Sequence, residues 1–327
     1  MGDDLSAMET YDPFRPGGLD VEVRTVEADD RARNRCFTIE SWAPVRSAGQ
    51  EAADGGVPSP LVVYSHHSGG RRRAASYLCT HLAGHGYVVA ALDHSEVAVP
   101  ELAIPADGTP AERIEWARRM WVPSRVPDVR FLIEHLLASA TVDPERIGIV
   151  GHSFGGWTAL ASPENDARIG AVVALAPAGS EPAPPGTIPV TLSFDWVRDV
   201  PTMYLVASED ASLPLDGMHQ LYRRTPTPKR MLILHRADHL HFVDDVETVH
   251  EAFRTAPLTG PAGEIQARMR PVAELCTAEH AHLFARGLTL AHFDATLRAR
   301  PEAQRFLDGD LTGELATRGV DASVVGP

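Results

Sequence analysis

One stretch of the chain joins a reactive side chain to the backbone setting it needs. Residues 148–156 read Gly-Ile-Val-Gly-His-Ser-Phe-Gly-Gly, and within them Gly151-His152-Ser153-Phe154-Gly155 is a G-x-S-x-G. The apolar run that ends Asp143-Pro-Glu-Arg-Ile-Gly-Ile-Val reads as a strand, and Phe154–Ala161 reads as a helix. Ser153 therefore falls on a sharp strand-to-helix turn. Such a turn strains the backbone of the serine and leaves no room for side chains two residues to either side, so glycines stand there. The strain lifts the hydroxyl clear of the sheet, beside helix N-terminal N–H groups that favour developing negative charge. The plain alternative is a serine that merely caps a helix; the surrounding pattern favours a nucleophile.

A serine hydroxyl needs a general base within hydrogen-bond reach, and the base needs an orienting carboxylate. Two later apolar runs, Met203–Ala207 and Met231–Leu234, end where such groups stand. The first runs into Ser208-Glu209-Asp210, and Asp210 is the preferred acid, with Glu209 and then Asp195 as rivals. The second runs into His235-Arg-Ala-Asp238-His239-Leu-His241. His239 is the preferred base: His235 sits too close to the strand to swing over a serine, and His241 lies where the next helix should begin. For the oxyanion, one donor is the backbone N–H of Phe154. The other is expected from the loop Ser65-His66-His67-Ser68-Gly69-Gly70, with the Ser68 N–H preferred and that of His67 second. The two histidines there read as groups that pack and hydrogen-bond to hold the loop.

The elements that must position these groups alternate. Residues 1–18 read as an irregular lead-in. Val21–Val26 and Cys36–Ala43 alternate apolar and polar residues, as in an antiparallel β-meander, with a charged turn at Glu27–Arg35 and a loop at Ser47–Pro60. Beyond Pro60, apolar strands (61–64, 87–92, 147–150, 171–175, 203–207, 231–234) alternate with helices (about 73–84, 127–138, 154–161, 213–224). That order implies right-handed crossovers and a mostly parallel sheet covered on both faces. The expected layout is one α/β domain over 19–256, with insertions at about 95–124 and 177–200. Residues 257–327 read as a helical C-terminal appendage packed on the same domain, with helices at 265–275 and 280–298 and a trailing end from Arg318. Either insertion could arch over Ser153. Trp116 and Trp121 in the first and Phe194 in the second, together with His67, are the expected substrate-binding side chains, suited to an uncharged acyl or alcohol group.

Composition excludes several functions. Thirty Lys+Arg against 44 Asp+Glu give a formal charge of −14, which repels phosphate backbones and anionic lipid. No stretch approaches the eighteen or more apolar residues of a membrane span. The acidic start, with Asp3, Asp4, Glu9 and Asp12, lacks a leader pattern, and the three dispersed cysteines read as reduced, so a cytoplasmic protein is expected. Fifteen histidines raise the question of a metal, yet no HExxH or similar spacing occurs, and no Walker or G-x-G-x-x-G signature offers a nucleotide site. No metal and no cofactor are expected. The sequence sets no oligomeric state, and a homodimer is compatible with it.

Several segments together resemble the α/β-hydrolase superfamily, in its dienelactone-hydrolase-like branch near the platelet-activating-factor acetylhydrolases. They are Tyr11-Asp-Pro-Phe, Ser41-Trp-Ala-Pro, Val63-Tyr-Ser-His-His-Ser-Gly-Gly, Leu82-Ala-Gly-His-Gly-Tyr-Val-Val-Ala-Ala-Leu-Asp-His, Gly151-His-Ser-Phe-Gly-Gly and His239-Leu-His-Phe-Val-Asp-Asp. The resemblance implies an α/β-hydrolase fold and metal-free cleavage of a small ester or lactone through an acyl-enzyme. It maps the nucleophile onto Ser153, the base onto His239 and the oxyanion donors onto Phe154 and Ser68. Three departures stand out. The usual Ser-His-Gly of the oxyanion loop is Ser65-His66-His67 here. Acetylhydrolases of this type carry the acid after the strand following the nucleophile helix, where this chain reads Ala174-Leu-Ala-Pro-Ala-Gly, which moves the role to Asp210. Dienelactone hydrolases use cysteine, so the serine argues against identical substrates. An acyltransferase or thioesterase would share the triad, whereas a non-catalytic binding protein on this fold would usually have lost a member of it.

Overall fold

The computed structural model describes residues 11–45, 57–138 and 142–326. The loop expected at 47–60 lies largely outside these, as do residues 1–10 of the lead-in. Among the described residues the strands are β1 (Asp20–Asp30), β2 (Arg35–Val45), β3 (Ser59–Ser65), β4 (Val88–Leu92), β5 (Val142–His152), β6 (Ile169–Leu175), β7 (Thr202–Ala207), β8 (Lys229–Leu234) and β9 (Ala322–Val324). They form one sheet in the order β1-β2-β4-β3-β5-β6-β7-β8-β9. β4, β3, β5, β6, β7 and β8 run parallel, while β1, β2 and β9 pair antiparallel with their neighbours. This is the α/β-hydrolase fold.

The parallel strands are buried on both sides, and period-two alternation sends successive residues to opposite layers. Val62, Tyr64, Val89, Val150, Val173 and Leu205 face α1 (Ser76–Gly84) and α8 (Ala278–Thr296). Leu61, Val63, Ile147, Ile149, Val172 and Tyr204 face the other way. That second face is covered by α3 (Pro110–Leu137), by α4 (Phe154–Ala161), and by α5 (Leu215–Arg224).

Four expectations change. The meander strands run further toward each other, with a turn at 31–34 that Asn34 closes at φ 52°. The first insertion is largely helical: α2 (Ser95–Ala98) is followed by α3, which begins at Pro110 rather than Pro127 and passes through Pro123 and Pro127. Proline normally ends a helix. Here Trp121, Val129, Leu132 and Ile133 are buried against the sheet, and Ser124 Oγ donates to the Met120 carbonyl at 3.0 Å. The helix expected at 265–275 is α7 (Gly260–Arg268), which follows α6 (Val246–Thr255). The end does not trail off: α9 (Pro301–Leu307) and α10 (Leu311–Ala316) lead into β9 on the outer edge of β8.

Residues 278–297 are part of the core rather than an addition to it. Phe284, Leu288 and Phe293 are fully buried under the sheet, and Asp294 accepts hydrogen bonds from the hydroxyls of Tyr87 (2.9 Å) and Tyr11 (3.0 Å). No helix of the described residues is long and apolar enough to cross a membrane. Phe293→Ala should therefore lower stability by about 3–5 kcal/mol, read as a lower midpoint in urea unfolding; an unchanged midpoint would mean that α8 is dispensable packing.

Candidate active site

Ser153 stands between β5 and α4 with φ 59° and ψ −117°, a strained conformation for a residue with a side chain. The cause is crowding. A Cβ on Gly151 would lie 2.0 Å from the Gly155 carbonyl oxygen, and one on Gly155 would lie 2.0 Å from the carbonyl oxygen of Ser65. The turn thus rests directly on the end of β3. Backbone bonds fix it further: Ser153 N–H donates to Leu175 O (2.9 Å), and Ala178 N–H donates to Ser153 O (2.9 Å).

The ends of β7 and β8 bring the other two groups. Asp210 is buried, and its Oδ1 accepts from the amides of Ser212 (2.9 Å) and Leu213 (2.7 Å). These bonds leave Oδ2 to accept from His239 Nδ1 at 2.6 Å, and Ser153 Oγ lies 2.8 Å from His239 Nε2. Serine, imidazole and carboxylate form one hydrogen-bonded line. The rivals lie elsewhere. Glu209 takes Arg270 Nη1 at 2.9 Å, Asp195 is exposed, and His241 Nε2 donates to the Cys276 carbonyl at 3.2 Å. The backbone of His235 is tied to Asp321 O at 2.9 Å.

Electrostatics single out His239. Burial pulls its imidazole down, but the charge and hydrogen bond of Asp210 outweigh that and hold it above the ordinary 6.5. Its neighbours shift the other way. Burial lowers His67 to about 4, helped by His239, and lowers His152 well below the usual range. The ring of His152 lies 4.7 Å from that of His239. Asp238 donates nothing to this line; its carboxylate accepts the His239 backbone N–H, and burial followed by the charge of Asp210 raises it to about 6.

Ser153 opens into a cavity of about 360 Å³. It is lined by His67, Ser68, Ser153, Phe154, Asp238 and His239, and by the apolar side chains of Ile188, Leu213, Leu240, Phe253, Ile265 and Met269. The Ser68 amide has no hydrogen-bond acceptor among the described residues. The expected aromatic lining is corrected: Trp121, Trp116 and Phe194 do not reach this cavity. Trp121 is buried under α3, its indole N–H donating to Leu102 O at 2.7 Å. Trp116 is half-buried on α3, and Phe194 packs edge-on to Trp196 with the Arg224 guanidinium over its ring. Trp121 and Phe194 are thus used to seat their own insertions. Only Ala178 and residues 186–188 of the second insertion reach the cavity. The walls that sequence reasoning missed come from α6 and α7, where Phe253, Ile265 and Met269 pack together. The four-residue spacing of Ile265 and Met269 was the available signal.

Comparison with known proteins gives the relationship. A platelet-activating factor acetylhydrolase of Cavia porcellus is 28% identical over 153 residues, covering 36% of this chain and 35% of that protein. The quorum-quenching protein AidA of Acinetobacter baumannii (strain MDR-ZJ06) is 27% identical over 122 residues, covering 37% of this chain and 36% of that protein. The chain thus spans about a third of the length of these curated relatives. A ferulic acid esterase structure from Streptomyces cinnamoneus superposes with a TM-score of 0.63 at 23% identity, over 95% of this chain and 98% of that one, and shares the fold. Residues 48–256 match the model of the dienelactone hydrolase family, well over half of the 327 residues, and the chain belongs to that family.

Proposed function

We propose that this protein is a serine-dependent carboxylic ester hydrolase. The observation that carries the reading is the line Ser153 Oγ–His239 Nε2 (2.8 Å) and His239 Nδ1–Asp210 Oδ2 (2.6 Å), anchored by two backbone amides and opening on an apolar cavity. His239 takes the proton of Ser153 as its oxygen attacks the ester carbonyl. The amides of Phe154 and Ser68 hold the oxyanion, and Asp210 orients the imidazole and stabilises the imidazolium. His239 then protonates the departing alcohol, leaving an acyl-serine. Water, giving its proton to the same nitrogen, attacks that acyl group, and the acid leaves as the serine regains its proton.

The substrate class follows from the walls. Among the described lining residues the titratable groups are His67, Asp238 and His239, with no Lys or Arg. A carboxylate on the substrate would find no cation there and would meet Asp238. The cavity suits a neutral small ester with an apolar acyl group, of a size within the range of small-molecule pockets.

Hydrolysis of p-nitrophenyl esters from acetate to decanoate should survive a chelator and fall by about four to six orders of magnitude in Ser153→Ala; full activity in that variant would overturn the mechanism, and no turnover of any ester by the wild type would move the reading to acyl transfer. The base must be unprotonated, so a raised imidazole shifts the acid limb of kcat/KM upward: its midpoint should lie above pH 6.5. Asp210→Asn should move that limb to lower pH and cut kcat by about 10⁴. Ile265→Trp, which adds bulk to the apolar lining, should move the preferred acyl length toward acetate with little effect on acetate turnover; an unchanged length profile would place the acyl group elsewhere.

A further inference from the structure

Arg125 and Glu96 form a buried ion pair that does not line the Ser153 cavity. Such a pair is weak evidence for stability, because apolar residues of similar volume often serve the fold as well. Nor is this one fully satisfied: Arg125 Nε and Glu96 Oε2 have no hydrogen-bond partner among the described residues. What the guanidinium touches is more telling. Nη1 donates to the His66 carbonyl at 2.6 Å and Nη2, which also meets Glu96, donates to the His67 carbonyl at 3.4 Å. The guanidinium carbon lies 4.5 Å from the centre of the Phe154 ring.

The His67 carbonyl and the Ser68 N–H belong to one planar peptide unit, in which they point in opposite directions. Whatever holds that carbonyl aims that amide. It accepts from His66 Nδ1 (2.7 Å) and from Gly70 N–H (3.0 Å) as well as from Arg125. The other amide belongs to Phe154, whose ring lies under the same guanidinium. We infer that Arg125, held by Glu96, is the positioning residue of the oxyanion site, one cation that sets both amides. The inference rests on the proposed attack of Ser153 on an ester carbonyl.

A second layer braces the same loop. Ser65 Oγ donates to His94 Nε2 (2.9 Å), and His94 Nδ1 donates to Asp128 Oδ2 (3.2 Å), in the order serine, histidine, aspartate. Asp128 also accepts from Ser95 N–H (2.8 Å) and Arg33 Nη1 (2.7 Å), while the His94 N–H donates to His66 Nε2 (3.2 Å). Ser65 is fully buried, so this line is a strut between β3, β4 and α3. It leaves Arg125 as the side chain that reaches both sides of the oxyanion site.

The test uses the full chain, with each variant's rate normalised to sites titrated by a phosphonate that labels Ser153. Arg125→Lys keeps the charge opposite Glu96 but loses the planar fork. Arg125→Met combined with Glu96→Gln removes both charges, so that neither stays buried alone. Loss of one oxyanion donor costs about 10²–10³, so a donor kept but misaimed should lower kcat by about 10- to 100-fold per titrated site. KM should change by less than about threefold. The inhibition constant of a trifluoromethyl ketone, to which a serine adds to give a tetrahedral alkoxide, should rise by the same factor as kcat/KM falls. An unchanged kcat per titrated site in both variants, or an unchanged ketone affinity, overturns the inference. Ser153→Ala, which has no serine for the phosphonate and is normalised to total protein, separates the two readings: activity that survives it defeats the proposed mechanism and this inference with it. Activity lost there but untouched at Arg125 defeats this inference alone.

Discussion

The contact between two backbones governs the rest of the molecule. The turn after β5 presses on the last carbonyl of β3 so closely that the Ser65 oxygen would lie 2.0 Å from any Cβ at position 155. No side chain can stand between them, so the serine and the loop at 65–70 are separated by a fixed backbone distance. The strained φ of Ser153 is the local cost, about 1–3 kcal/mol for such conformations, and the bonds to Leu175 and Ala178 resist its relaxation. A parallel sheet suits this requirement. Neighbouring strands in register end at the same edge, which brings residues from four separate strand ends into one place.

The charge arrangement at that edge is economical. Several titratable groups crowd the serine, but only one imidazole is held above its ordinary range. His67 and His152 are buried and stay neutral, so they add bulk and polarisability around the base without adding positive charge that would oppose its protonation. Asp238, raised to about 6 by burial and the charge of Asp210, stands beside the triad without joining its hydrogen-bonded line. The remaining charges are set back one layer, in the pairs around Arg125 and Asp128, where they fix backbone and not substrate.

Features with local causes could be read directly from the residues. Glycines at 151 and 155 answer to a steric demand five residues wide, and the apolar runs before Asp210 and His239 mark strand ends without reference to distant chain. Those positions do converge in space. What could not be read depends on tertiary partners. Pro123 and Pro127 mark a helix end by local rules, yet burial of Trp121 and Val129 carries α3 through them. A tryptophan reads the same in sequence whether it lines a cavity or fills a gap beneath a helix, and Trp121 fills the gap. The lining from α6 and α7 comes from either side of Pro257, in stretches whose apolar residues had no visible target. β9, three residues long, carries too little pattern to stand out from a polar end.

That short strand has a consequence for the sheet as a whole. An open edge presents unpaired N–H and C=O groups to any other extended chain, and long apolar edges recruit neighbours. β8 is apolar from Met231 to Leu234, and that part would be such an edge. Ala322–Val324 covers it, with Val325 N–H bonded to Met231 O and Asp321 O taking the His235 N–H, both at 2.9 Å. The edge exposed in its place is only three residues long, while β1, at the opposite border, carries Asp20, Glu22, Arg24, Glu27 and Asp29. Both borders are thus poor templates for strand addition. On the β8 side, the segment that ends the sheet also clamps the loop bearing His239, so protection against sheet-to-sheet aggregation and the placement of the imidazole depend on the same few hydrogen bonds.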